Sequence, residues 1–123
     1  MKILLSINPE YVDKIFSGEK KIEYRRSIFK NKEIKTIVIY STSPIKKIVG
    51  EFTIKKIIKD APIKLWNLSP KSSGISEKKF YEYFKDKKEG YAIIIDKVIK
   101  YDNYKLLEDL SIKTAPQSFI YLP

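Results

Sequence analysis

The chain has 123 residues, and its 25 Lys and Arg against 15 Asp and Glu give a formal net charge of +10. It contains no cysteine and no histidine, which excludes a disulfide framework, the usual zinc, haem and iron–sulfur ligands, a cysteine nucleophile and an imidazole base. We therefore expect no metal and no cofactor, and any chemistry must use Lys, Asp, Glu, Ser, Thr or Tyr side chains.

The opening residues predict a strand followed by a helix. Residues 2–7 are mostly apolar and predict the strand. Asn8 is a typical N-cap, Pro9 suits the first helical position and Gly18 suits the stop, so we expect a helix over 9–17. The apolar run before Asn8 is too short for a signal peptide or a membrane span, which predicts a cytoplasmic protein with no membrane partner.

The rest of the chain predicts more strands than helices. From residue 20 the apolar period changes to two, which places Ile22 and Tyr24 on one face of a strand and Glu23 and Arg25 on the other. Further strands are predicted at 34–40, 46–58 with a bend at Gly50, 91–101 and 117–122, helices at 62–68 and after the cap Ser76, and a loop at 70–74. This order predicts one α+β domain over residues 1–123, a small and mostly antiparallel β-barrel with helices inserted between its strands.

Two adjacent arginines mark the first candidate site. Arg25 and Arg26 are the only arginines of the chain, and the planar fork of a guanidinium suits phosphate groups and base edges. The competing interpretation is an ordinary surface ion pair of Glu23 with Arg25 and Lys21, which would contribute little. The excess positive charge also predicts a polyanionic partner, although scattered lysines equally describe a solvated surface.

The run SINPEYVDKIFSGEKKIEYRR, residues 6–26, resembles the opening motif of the ASCH domain, a family of the PUA-like superfamily. The pieces at 39–44, 50–52 and 115–119 are similar to the same family, so the resemblance covers most of the chain. It implies a PUA-like β-barrel with a cleft beside the first helix, where Lys20, Glu23 and Arg25 would line a site for RNA or a modified nucleoside.

Other residues could complete such a cleft. Ser41 and Thr42 follow a predicted strand, where their hydroxyls could meet a phosphate or a base edge, or could serve only the turn before Pro44. Gln117 and Ser118 could join from the final strand. Aromatic faces could stack a base, although an aromatic residue taken singly is more often part of the core; the candidates are Tyr24, Tyr40 and Trp66. We predict a basic cleft for single-stranded RNA or one unstacked base, formed by Lys20, Glu23, Arg25 and Arg26 with Ser41 and Thr42 opposite.

Two other functions stay open. Some ASCH members are small hydrolases that cleave RNA or remove an acyl group from acetylcytidine with a Lys, Thr and Glu set. Lys20 matches the Lys, but Glu23 stands where the Thr is expected and the loop at 70–74 has no Glu. Lys20 and Glu23 are therefore candidate catalytic residues of a metal-independent hydrolase. A protein-interaction module is the third possibility, and no pattern in the sequence singles out an apolar interface for it.

Overall fold

The computed structural model describes all 123 residues, in three helices, six strands and two short 3-10 turns. The helices are α1 Pro9–Ser17, α2 Pro62–Leu68 and α3 Glu77–Tyr83. The strands are β1 Lys2–Ile7, β2 Ile22–Arg25, β3 Thr36–Ser41, β4 Lys47–Asp60, β5 Gly90–Lys105 and β6 Phe119–Leu122. The 3-10 turns are Pro70–Ser72 and Leu107–Leu110. None of the helices is long and apolar enough to cross a membrane.

All six strands belong to one sheet in the order β2-β5-β4-β3-β1-β6. β1 and β3 are parallel, and the other four neighbouring pairs are antiparallel. The predicted α+β class with a mostly antiparallel sheet is therefore confirmed. β2 and β6 are the edge strands and no backbone pairing joins them, so the sheet is open and the predicted barrel is not confirmed.

Local signals set the ends of the first helix as predicted. The Asn8 side chain accepts a hydrogen bond from the Glu10 N–H at 2.9 Å, Pro9 opens the helix, and Gly18 ends it in the left-handed region at φ 84°. At α3 the Ser76 side chain likewise accepts from the Lys79 N–H at 3.2 Å. These caps confirm the predicted helix starts.

Several predicted ends shift, because tertiary pairing and turns decide them. β3 begins at Thr36 rather than residue 34, since the Asn31 side chain accepts from the Glu33 N–H and holds 31–34 in a turn. β5 continues to Lys105 because β4 pairs along it as far as Ile48. The predicted loop at 70–74 begins with a 3-10 turn, and β6 begins two residues later than predicted.

Three apolar clusters form the core, and their placement creates the site. The largest packs α1 against one face of the sheet, with Ile3, Leu5 and Ile7 among its members. The second lies beneath α2 and α3 around Phe80, and it includes Tyr24 of β2. The third covers the opposite face of β1, where Leu4 is buried. Tyr24 of β2 thus packs on Phe80 of α3, and Lys20, just before β2, lies near Tyr11 of α1.

Candidate functional site

A cavity of about 170 Å³ opens where the end of β1, helix α1, strand β2 and helix α3 meet. An engineered cavity of about 150 Å³ holds one benzene ring, so this cavity has room for a single planar ring. It is lined by Ser6, Ile7, Asn8, Tyr11, Lys20, Glu23, Tyr24, Arg25, Ile75 and Tyr83. Three of the predicted site residues, Lys20, Glu23 and Arg25, thus lie together in its wall.

Lys20 is a buried cation in this wall, with only 3% of its surface exposed. Its Nζ donates a hydrogen bond to the Ser73 carbonyl at 2.6 Å and lies 5.2 Å and 5.1 Å from the ring centroids of Tyr11 and Tyr24. Gly74 makes this burial possible, because a Cβ there would lie 2.5 Å from the Lys20 Cβ. Burial lowers the pKa of Lys20 below its usual value, and the Glu23 carboxylate offsets part of that change.

Glu23 joins the two cations of the wall. One carboxylate oxygen lies 3.9 Å from Lys20 Nζ and the other lies 3.3 Å from Arg25 Nη1. Arg25 also donates to the Ser6 carbonyl at 3.5 Å and to the Ser118 carbonyl at 3.3 Å. Lys20, Glu23 and Arg25 therefore form a buried network that links β2 to β1 and to the C-terminal segment. Lys21 takes no part in it.

Tyrosines form the aromatic wall of the cavity. Tyr24 is buried, its ring edge packs on Phe80 with centroids 4.8 Å apart, and its hydroxyl has no hydrogen-bond partner. Burial first, and then the charge of Glu23, raises the pKa of Tyr24 to about 12. Arg26 is exposed at the rim of the cavity, where its guanidinium lies 4.7 Å from the ring centroid of Tyr83. The backbone N–H of Arg26 donates to the Tyr83 hydroxyl at 3.2 Å.

The structure separates Ser41 and Thr42 from the cavity wall. Ser41 is buried at the end of β3 and pairs with Ile7, and the Thr42 N–H donates to the Ile7 carbonyl at 3.0 Å. Both contact a lining residue without lining the cavity themselves. Of the other two aromatic candidates, Tyr40 lies in the cluster on the opposite face of β1 and Trp66 packs on the second cluster.

The C-terminal segment approaches the cavity through its backbone rather than its side chains. The Ser6 hydroxyl donates to the Pro116 carbonyl at 2.6 Å, and Arg25 reaches the Ser118 carbonyl. Sequence reasoning did not single out Tyr11, Tyr83 or Asn8 as site residues. Tyr11 and Tyr83 lie in helical segments whose spacing suits core residues equally well, so no local signal distinguishes them.

A sequence model of the ASCH domain matches residues 5–105. The chain belongs to the ASCH domain family. A crystal structure of ASCH from Zymomonas mobilis superposes with a TM-score of 0.90 at 25% identity, covering 99% of this chain and 87% of that one.

Curated relatives of this ASCH chain carry different names. A Ureaplasma parvum protein named ATP synthase subunit alpha is 33% identical over 121 residues, which is 98% of this chain and 15% of that protein. A Zymomonas mobilis protein named ASCH domain-containing ribonuclease is 28% identical over 92 residues, or 75% of this chain and 62% of that protein. The ASCH chain thus spans less than two thirds of the length of either curated relative.

Proposed function

We propose that this ASCH chain binds single-stranded RNA or a modified nucleoside by taking the ring of one unstacked base into the cavity beside α1. The observation that carries the proposal is the cavity itself, which has the volume of one ring and is walled by Tyr11, Tyr24 and Tyr83. Single-stranded RNA is commonly recognised by stacking splayed bases on aromatic side chains. A duplex holds its bases in the stack and could not offer one to such a cavity without unpairing it.

The positive groups of the site divide into two roles. Lys20 and Arg25 are committed to Glu23 and to backbone carbonyls, so in the proposal they shape the cavity and stabilise its wall. Arg26 is exposed on Tyr83 and has no acidic partner, which leaves its guanidinium available for a phosphate beside the bound base. Contacts of RNA with Ser41 and Thr42 stay a prediction.

We infer that residues 1–123 act as one domain, because one sheet carries all three apolar clusters. The net charge of +10 supports a polyanionic partner, and neutralised phosphates release counterions. We expect the chain to bind this partner in the cytoplasm.

Fluorescence anisotropy with a short labelled RNA of mixed sequence tests the proposal. We expect salt-sensitive binding of the single strand and weaker binding of the matched duplex. Arg26→Ala should weaken binding and flatten the slope of log affinity against log salt concentration by about 0.7, the value for one phosphate on a single strand. Lys105→Ala is the matched control, because it also removes one positive charge but borders a different cavity. Equal slopes for the two variants would exclude Arg26 as a phosphate contact, and equal affinity for strand and duplex would contradict base capture.

Cleavage of RNA is the second candidate, supported by the Lys20–Glu23 pair and compatible with the name of the Zymomonas relative. In that reaction Glu23 would accept the proton of a ribose 2′-hydroxyl as its oxygen bonds to phosphorus. The bond from phosphorus to the 5′-oxygen would break, and that oxygen would take a proton from Lys20. Denaturing electrophoresis of the same RNA detects the products, a strand ending in a 2′,3′-cyclic phosphate and a strand with a free 5′-hydroxyl. Intact RNA after prolonged incubation would leave binding as the function.

A further inference from the structure

An aromatic pair lies on the surface of α2 and α3, outside the lining of the cavity. The rings of Trp66 and Tyr81 have centroids 6.5 Å apart. Tyr81 is 38% exposed, Trp66 is half-buried, and Ile63, three residues before Trp66 on the same helix, is 60% exposed. Both rings pack on Phe80 at centroid distances of 5.1 Å, which holds them in position. The pair therefore presents fixed aromatic surface to solvent, and the cavity does not use it.

Helix α3 connects this pair to the cavity. Tyr83, which lines the cavity, follows Tyr81 by two residues on α3. Two residues turn an α-helix by about 200°, and the buried residues Phe80 and Phe84 lie between the two tyrosines on the core side. Tyr81 and Tyr83 therefore flank the outward face of α3 from opposite sides. Because a helix with its side chains is only about 10–12 Å wide, a short RNA strand that leaves the cavity past Tyr83 can cross α3 and reach Tyr81.

The charge around the pair suits a polyanion. Residues 77–88 hold five lysines against three acidic residues, and α2 has no acidic residue. Lys78 lies three residues before Tyr81, a spacing that places the two side chains on one face of the helix. Lys78 is exposed and forms no ion pair, whereas its neighbour Lys79 lies 3.9 Å from Glu10. Aromatic faces beside free positive charge are the combination that binds single strands, because bases stack on the rings while phosphates meet the cations.

We propose that Trp66 and Tyr81 form a second base-stacking site, which takes a further nucleotide of the strand whose base occupies the cavity. The strand would cross the outward face of α3, with a phosphate beside Lys78. This inference rests on the proposed function, because it extends the path of the bound RNA beyond the cavity. Every base has a π-face, so the second site adds affinity for longer strands without adding a base preference.

Trp66 is the only tryptophan of the chain, so its fluorescence reports on this site directly. We expect the short single-stranded RNA to quench that fluorescence as it binds. Tyr81→Ala should lower RNA affinity about fivefold or more, the value of one lost base-stacking contact. Tyr81→Phe keeps the ring and should bind as tightly as the unmodified protein. Tyr104→Ala is the matched control, because Tyr104 is a comparably exposed tyrosine, at 44%, on β5; it should leave RNA affinity unchanged.

The outcomes distinguish the inference from the function it rests on. Equal RNA affinity of Tyr81→Ala and Tyr104→Ala would overturn the inference while leaving RNA binding intact, and so would Trp66 fluorescence that saturating RNA does not change. A loss for Tyr81→Phe as large as that for Tyr81→Ala would also overturn it, because the hydroxyl rather than the ring would then make the contact. No RNA binding by the unmodified protein would overturn the proposed function and this inference with it.

Discussion

Replacing Glu23 with Gln tests whether the cavity wall is a buried charge network. The substitution keeps the side-chain shape but removes the carboxylate that lies 3.3 Å from Arg25 and 3.9 Å from Lys20. Breaking a buried ion pair by removing one partner typically costs about 3–5 kcal/mol. Both cations keep their backbone carbonyl partners, so we expect the lower end, about 3 kcal/mol. That corresponds to a melting temperature lowered by roughly 12 °C for a chain of this size.

The same variant should change the pH dependence of stability. Burial lowers the pKa of Lys20, so between that pKa and the ordinary value of 10.5 the unfolded chain binds more protons than the folded one. The free energy of unfolding therefore rises with pH across that window. Glu23 raises the pKa of Lys20, so in Glu23→Gln the free energy of unfolding begins to rise at a lower pH. The stability deficit of Glu23→Gln should accordingly shrink as the pH rises from neutral towards about 10.

Urea denaturation at a series of pH values measures both effects. Lys20→Met in the Glu23→Gln background removes the buried positive charge that has lost its carboxylate partner, and it should recover part of the lost stability. Glu89→Gln is the matched control, since Glu89 also lies 3.9 Å from a lysine, Lys59, but both side chains are more than half exposed. It should change the free energy of unfolding by less than about 0.5 kcal/mol. A cost for Glu23→Gln as small as that of the control, or a deficit that does not depend on pH, would refute the buried-network account.

Two further substitutions test the packing behind the cavity by chemical denaturation. Gly74→Ala should lower the free energy of unfolding by about 2–3 kcal/mol and weaken RNA binding, because φ is +66° and the new Cβ would meet the Lys20 stem at 2.5 Å. The control Gly18→Ala, at φ +84° with nothing within 4 Å of the new Cβ, should lower it by only about 1 kcal/mol. Equal losses for the two variants would contradict the steric argument. Phe80→Ala should cost about 3–5 kcal/mol, since Phe80 is fully buried against Tyr24; a loss under 1 kcal/mol would show that the aromatic cluster does not support the cavity.

The helices were predictable because their signals are local. Asn8, Pro9 and Gly18 act within one helical turn of the residues they cap, and the helix between them has the predicted ends. The ends of β4 and β5 could not be predicted from local signals. Asp60 and Gly90 are paired across the sheet although about thirty residues separate them along the chain, so their strands end where the partner strand ends.

The candidate site was likewise predictable only where its residues are close together in the sequence. Lys20, Glu23 and Arg25 are close in sequence, and the resemblance of one short run pointed to all three. The strand pattern placed Glu23 and Arg25 on one face, but it did not reveal that Lys20 rather than Lys21 is the ionic partner of Glu23. That choice depends on a distant part of the chain, where the Ser73 carbonyl accepts a hydrogen bond from Lys20 Nζ and Gly74 leaves room for the Lys20 stem.

The amino-acid sequence by itself determined the family, the α+β class, the capped helices and the run that carries the three charged residues, because these depend on neighbours along the chain. Only the tertiary structure decided that the sheet is open, that Ser41 and Thr42 lie outside the cavity wall, and that Tyr11 and Tyr83 line it. It also decided that the Tyr24 hydroxyl is buried without a partner. Burial and hydrogen bonding depend on residues brought together from distant segments, and no local pattern records which segments will meet.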